Sequence, residues 1–484
     1  MKNLTHIFLL AFAGLTLLFS CGTEPEDTGG EVIEEEVTTA DVTPVPFPDP
    51  GIAGFSFPED SNVINNWLAE EDWESITRHA WGIWTGLTDV VDADCDGNTL
   101  RVFETWTTPE DIVAALKGNA NPPAMSCGRA PLTVPTQLGH VPMMVGGESP
   151  DTVVYESVAY SPAAATYALD NRIFERDKLN ALYASGVRSV VFPNDAITIK
   201  PVFRIIPQGA TAYSVKVWPG PPSPAQPYHE TAWTSCAYVS TDGTGQGDGS
   251  VDVNCTGTAT PQTTYKVEDF IHFKLTAADS AYFASEFFDG SAEKIKVGDY
   301  AVLVGMHVAS REIERWTWQS FWWAPNPDSP NAPSSEAIAD LRPAELVGAP
   351  RHYAMTTAYS MVWPAQPTRG GQSVGEPVYA YNAYLEAPFD SGVFGWKSEI
   401  TGPNGEKIVN QFGVETNCMS CHILANYDPA KAKTGEMFLY AADTYISLAD
   451  TFYTNKLRAD FAWSLTANIF PDSAAVVEMM NDMK

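Results

Sequence analysis

The chain has 484 residues, enough for one large domain or two to three ordinary ones, and 44% of them are apolar, enough to bury a core. Only 18% are charged, while Trp (14), Tyr (19), Gly (35) and Pro (36) are plentiful; this balance excludes a disordered chain and argues against a helical bundle. A net charge of −32 speaks against nucleic acid or an anionic membrane surface as partner and leaves a basic redox partner as the electrostatic complement.

The first element is a leader. Met1-Lys2 makes a basic start, and residues 7–19 form an apolar run of about a dozen residues, too short to span a bilayer. Leu18-Phe19-Ser20-Cys21 then resembles a bacterial lipoprotein signal, with a small residue before Cys21 and a Leu three before it. The reading predicts that residues 1–20 are removed and that Cys21 is diacylated, anchoring the protein in the cell envelope. That means a lipoprotein of the outer membrane or one facing the periplasm. An ordinary secretory signal cut nearby gives export equally well. Residues 21–50 carry nine Asp or Glu and no Lys or Arg, and they end in a Pro-rich run; like charges repel and Pro extends, so a solvated tether is expected.

Within 51–375 the pattern predicts a β-rich α+β domain. Thr108-Pro109-Glu110-Asp111 reads as a helix start, continuing to Lys117 and stopping at Gly118. Ser161-Pro162 opens a longer helix that runs through Leu169, Ile173 and Leu182 to Gly186. From Val190 the texture becomes β: "AITIKPVFRIIP", "TAYSVKVWPG", "KVEDFIHFKL" and "YAVLVGMHVAS" follow one another, and "WTWQSFWW" (316–323) is an aromatic strand candidate. Residues 236–255 read as a disulfide-closed excursion with a Gly/Asp-rich tip, and 324–333 as a Pro-rich loop. The best internal break is 368–377, which leaves 376–484 as a C-terminal segment.

That segment holds Cys418-Met419-Ser420-Cys421-His422, the spelling of a c-type haem attachment site. Two thiols three apart add across the two vinyl groups of haem, and the adjacent imidazole ligates the iron. A redox CxxC is expected in a βαβ context, and a zinc site needs a second ligand pair at finger-like spacing; neither pattern accompanies this motif. Seven cysteines then divide without remainder. Cys21 takes lipid, Cys418 and Cys421 take haem, and Cys95, Cys127, Cys236 and Cys255 are left in a compartment where disulfides persist. Of three connectivities we expect the neighbour pairing, Cys95–Cys127 and Cys236–Cys255. For the sixth ligand, His307 or Met437 is the candidate and His352 a further one; Met479, Met480 and Met483 stand at the end of the chain with no helix after them.

Two other patterns bear on ligands. Asp92-Ala93-Asp94-Cys95-Asp96-Gly97 matches the start of a calcium loop, with Phe103 at the twelfth position and Glu104 beside it; an exposed acidic turn is the plainer reading. Trp316, Trp318, Trp322 and Trp323 suit core and cross-strand packing, or the wall of a haem or a sugar-like ligand. No GxSxG, P-loop, HExxH or dinucleotide fingerprint occurs.

"FPNDAITIKPVFRII", "YAVLVGMHVASREIERWTWQSFWW" and "NCMSCH", in that order, resemble a bacterial family of exported cytochrome c proteins, in scattered blocks between residues 95 and 470. The resemblance implies one haem c, with Cys418 and Cys421 as thioether sites and His422 as axial ligand. It implies electron transfer and supplies no substrate. Family members often carry an acidic residue and a His after the Trp-x-Trp-x-x-Phe segment, where this chain has Trp322-Trp323. The expectation is therefore one-electron exchange with a redox protein or a small redox molecule. The alternatives are a haem enzyme of peroxidase or oxidase type, or a haem-based sensor with an open distal site.

Overall fold

The protein is described from a computed structural model that covers residues 42–119, 124–135, 153–220, 230, 233–286, 295–364, 376–386, 399–401, 407–409, 418–431 and 445–471. Residues 1–41, with Cys21 and the expected leader, lie outside the described residues, as do Met437, Met479, Met480, Met483 and most of the expected break at 368–377. Among the described residues no helix is long and apolar enough to cross a membrane.

Helices and antiparallel sheets alternate along the chain, so the class is mixed α+β. In order come α1 (Ser61–Glu70), α2 (Trp73–Leu87), β1 (Val90–Cys95), β2 (Asn98–Arg101), α3 (Pro109–Lys117), β3 (Tyr155–Glu156), β4 (Ala159–Tyr160), α4 (Pro162–Asn171) and α5 (Arg176–Ala184). Then follow β5 (Ile197–Ile206), β6 (Tyr213–Val217), β7 (Ser235–Ser240), β8 (Asp252–Val253), β9 (Thr264–Lys266), β10 (His272–Lys274) and α6 (Ala277–Glu286). After these come β11 (Tyr300–Ser310), β12 (Thr317–Trp323), α7 (Glu336–Ala339), β13 (Tyr353–Thr357), α8 (Ala383–Glu386) and the one-turn α9 (Cys418–His422).

The central sheet has seven strands in the order β13-β12-β11-β5-β3, with β10 also on β11 and β4 also on β5; every pairing is antiparallel. A second sheet carries β6-β7-β8, with β9 parallel to β7. Every residue of β12 is buried, so the alternation expected of a half-buried strand is replaced by burial on both faces. The largest of three apolar clusters among the described residues includes Trp81 and Trp84 of α2, Phe321 and Tyr353; Trp84 stacks on Phe321 at 4.2 Å. The second core joins Ala164, Leu179 and Trp318 to Met419, Ile423, Leu457 and Leu465, so segments from both sides of residue 376 share it.

Local signals explain the helix ends. Thr108 caps α3, accepting from the Asp111 N–H at 3.1 Å, and Gly118 closes it in the left-handed conformation, as its turn chemistry predicts. The long helix expected over 162–186 is broken. Arg172 turns left-handed after Asn171, and this sends Ile173 and Phe174 wholly into the core, where the Arg176 N–H meets the Phe470 carbonyl at 3.1 Å. Burial of two large side chains outweighs continued helix here. The stretch 266–275 also departs from a single strand: Val267–Asp269 is a 3₁₀ turn between β9 and β10.

Residues 42–50, the end of the predicted tether, lie against the body. The Val45 N–H donates to Thr105, the Trp106 indole donates to the Val45 carbonyl, and Phe47 packs on α2 at Gly86, where a Cβ would come within 2.4 Å of its ring. Apolar side chains at Val45 and Phe47 explain why a solvated spacer stops short of them.

Both expected disulfides, Cys95–Cys127 and Cys236–Cys255, are present. The three acidic residues of the expected calcium loop do not converge on one point. Asp92, Asp94 and Asp96 sit on the β1–β2 hairpin, whose Asp96-Gly97 turn has positive φ at both residues. An extended backbone spaces alternate residues by roughly 6.6 Å instead of curling them around an ion. Glu104 is committed elsewhere, to Arg129 Nε at 2.8 Å and to the Arg101 N–H.

Candidate functional site

Strand register assembles the site's floor. Lys200 of β5 pairs with His307 of β11, His307 with Ser320 of β12, and Ser320 with Thr356 of β13, so one row of polar side chains crosses four strands. Cross-strand partners share a face, which places Gly305, His307 and Ala309 beside Trp322, Ser320 and Trp318. The helix α9 and the Asn382–Glu386 turn meet this face.

His307 is held at both nitrogens: Nδ1 lies 2.7 Å from Ser320 Oγ and Nε2 2.7 Å from Glu386 Oε1. The other Glu386 oxygen accepts from the Asn382 N–H at 2.7 Å, and the Asn382 amide donates to Ser320 Oγ (2.9 Å) and the Phe321 carbonyl (2.7 Å). Asn382 fits because residue 305 is Gly; a Cβ there would stand 3.0 Å from its amide. Burial disfavours charge on His307. The Cys418 sulfur and the Glu386 carboxylate outweigh that and hold its pKa up at about 10.

The helical turn Cys418–His422 places its two cysteines at i and i+3, on one face. Met419, fully buried in the second core, holds the opposite side of the turn, and the Trp463 indole donates to the Cys421 carbonyl at 3.2 Å. Cys418 Sγ lies 3.6 Å from His307 Nδ1 and 3.6 Å from the Ala380 carbonyl. The two sulfurs are not bonded to one another. Burial, with Cys418 and Glu386 adding, pushes the Cys421 thiol up to about 12, so it stays neutral and unlike the low-pKa thiol of a redox CxxC.

His422 follows directly. Its Nδ1 lies 2.7 Å from the Phe461 carbonyl, which can only accept, so Nδ1 carries the proton and Nε2 keeps its lone pair. The Trp318 ring covers the imidazole at 4.3 Å between centroids. Burial, with Lys200 and His307 as nearby cations, pushes its pKa down to about 3, against the carbonyl hydrogen bond. The imidazole is neutral and fixed in one tautomer.

Of the residues singled out in the sequence, Cys418, Cys421, His422, His307 and Trp318 are brought together. His352 is not; its Nε2 lies 3.8 Å from Asp269 Oδ1. All four tryptophans of 316–323 are buried. Sequence reasoning missed Glu386, Asn382, Ser320, Lys200 and Phe461. For Ser320 and Lys200 a strand-register signal existed; for the others none did. Among the described residues, His307, Glu386 and Cys418 are the one set of three His, Cys, Asp or Glu side chains whose ligand atoms converge, all within 4.8 Å of one another.

No protein-family model, no curated protein and no solved structure matches this chain. The site's geometry therefore carries the functional reading alone.

Proposed function

We propose that the chain is a covalent haem c-binding protein that transfers single electrons in the cell envelope, with residues 376–484 as its haem segment. One observation carries this reading: a single helical turn presents two unjoined thiols on one face and, next to them, a neutral imidazole whose Nδ1–H is held by a backbone carbonyl. The donor set fits the group. Cys418 and Cys421 would hold it through thioether bonds, and His422 Nε2 would be the axial ligand. Bound there, haem supplies a one-electron couple between ferric and ferrous iron.

The chain's own residues do the rest. Trp318 packs against the imidazole, and the Phe461 carbonyl fixes its orientation. His307 and Glu386 set a polar pair beside Cys418. His307 as a distal ligand would have to give up Ser320 or Glu386, since both of its nitrogens are engaged. Export, lipidation at Cys21 and a redox protein or small redox molecule as partner belong to the same proposal and rest on the leader and the charge.

The test is to express the protein where haem-ligation machinery works, then measure intact mass and optical spectra with and without carbon monoxide. One haem per chain, low-spin and indifferent to the gas, is the expected result. A high-spin, gas-binding haem favours the enzyme or sensor alternative, and absence of any haem increment defeats the reading.

A second reading is favoured by the convergence of His307, Glu386 and Cys418: a transition-metal ion held directly by these three side chains. Metal analysis separates the two. A stoichiometric ion, lost in Glu386→Ala, in a protein that takes no haem would establish it.

A further inference from the structure

The carbonyl that holds His422 comes from an unusual piece of backbone. Asp460 and Phe461 are consecutive residues in the left-handed region, with φ of 48° and 66°. An Asp visits this region with modest difficulty, but a Phe there is uncommon and persists only where its surroundings impose it. The consequence of the double left-handed step is that the Phe461 carbonyl points at His422 Nδ1, 2.7 Å away.

What imposes the turn is the Asp460 side chain. Its Oδ2 accepts from the Phe192 N–H at 2.8 Å and from Arg311 Nε at 3.1 Å, and the residue is 5% exposed. Arg311 is in turn fixed: its guanidinium donates to the Ile313 carbonyl and its backbone N–H to the Ala196 carbonyl, both at 2.9 Å. On either side of the turn, the Ala459 N–H reaches the Ala425 carbonyl and the Ala462 N–H returns to Ala459, both at 3.0 Å. The carboxylate thus ties the turn to the β5 and β11 ends of the central sheet.

We propose that Asp460, braced by Arg311, is the positioning residue for His422: it holds the strained turn that aims the Phe461 carbonyl and thereby sets the orientation and donor strength of the imidazole. This rests on the haem c reading. A hydrogen bond accepted from Nδ1–H strengthens a ligating imidazole as a donor, and loss of such an outer partner typically weakens metal binding about 10- to 100-fold.

The experiment compares full-length exported wild type, Asp460→Asn and Asp460→Ala, each produced with haem-ligation machinery. Three readouts are taken: covalent haem per chain, reduction potential, and the concentration of cyanide or imidazole that displaces the axial histidine. Asp460→Ala should keep its covalent haem through the two cysteines, yield to the competing ligand at about tenfold lower concentration, and show a higher potential, because a weaker donor stabilises ferric iron less. Asp460→Asn, which retains an acceptor oxygen and tolerates the left-handed region, should lie between the two. Asp460→Ala with haem attached but with unchanged competition and potential overturns the proposal and leaves the haem reading standing. Wild type without covalent haem overturns the haem reading itself. Where Asp460→Ala does not accumulate, Arg311→Lys replaces it. A smaller change in the same direction is then expected, and no change overturns the proposal.

Discussion

Cys418 Sγ and His307 Nδ1 are separated by 111 residues of chain and by 3.6 Å of space. His307 is anchored in the middle of the central sheet, and Cys418 on a single helical turn. Their meeting ties the CxxCH segment to the part of the fold with the least freedom to move, since β11 is flanked by β5 and β12 along most of its length.

On the proposed haem c reading, replacing His307 by Gln should lower the reduction potential. The substitution removes the imidazole that pairs with Glu386 and leaves that carboxylate uncompensated, and net negative charge near the iron favours the ferric state. One charge at a distance on the order of 10 Å, in an effective dielectric of about 20, amounts to roughly 1.7 kcal/mol, or about 70 mV for one electron. Spectroelectrochemical titration of wild type and variant measures it; a rise in potential contradicts the placement of charge.

The two histidines give opposite pH limbs. His422 is held near 3 when folded against about 6.5 unfolded, so its contribution is present above about pH 6.5 and is lost progressively as pH falls through about 3. His307 is held near 10, so its contribution is complete below about pH 6.5 and disappears as pH rises through about 10. Denaturant titrations of the haem-free protein across pH should show an acid limb that flattens in His422→Gln. The alkaline limb should flatten in Glu386→Gln, which removes the negative charge next to His307.

Gly305→Ala should destabilise the fold by about 1–3 kcal/mol, because the new methyl stands 3.0 Å from the Asn382 amide and forces it off Ser320 and Phe321. Chemical denaturation reads the loss, and recovery of stability in Gly305→Ala/Asn382→Ser would place the clash where the geometry puts it. Unchanged stability in the single variant would show that the turn at Asn382 relaxes freely.

Replacing Cys236 and Cys255 by Ser opens a loop spanning 19 positions, which should lower stability by about 3 kcal/mol. Thermal unfolding without reductant checks this; in reductant both proteins also lose the Cys95–Cys127 bridge, so the difference between them should close.

What could be read without coordinates was what short-range chemistry dictates. Thr108, Pro109 and Gly118 delimit α3 because capping and left-handed closure act within a few residues. The five residues Cys418–His422 spell a donor set because thiol spacing along one turn is local, and neighbouring cysteines paired as arithmetic suggested. The break at Arg172, the docking of Val45 and Phe47, and the hairpin made of Asp92, Asp94 and Asp96 were decided by burial and register, which depend on partners distant in sequence. The same holds for the site. Antiparallel register put Lys200, His307, Ser320 and Thr356 in one row, and packing brought Glu386 and the Phe461 carbonyl to two histidines that carry no mark of them. A side chain's chemical type is written in the chain, but its protonation, tautomer and neighbours are set by which surfaces the fold buries together.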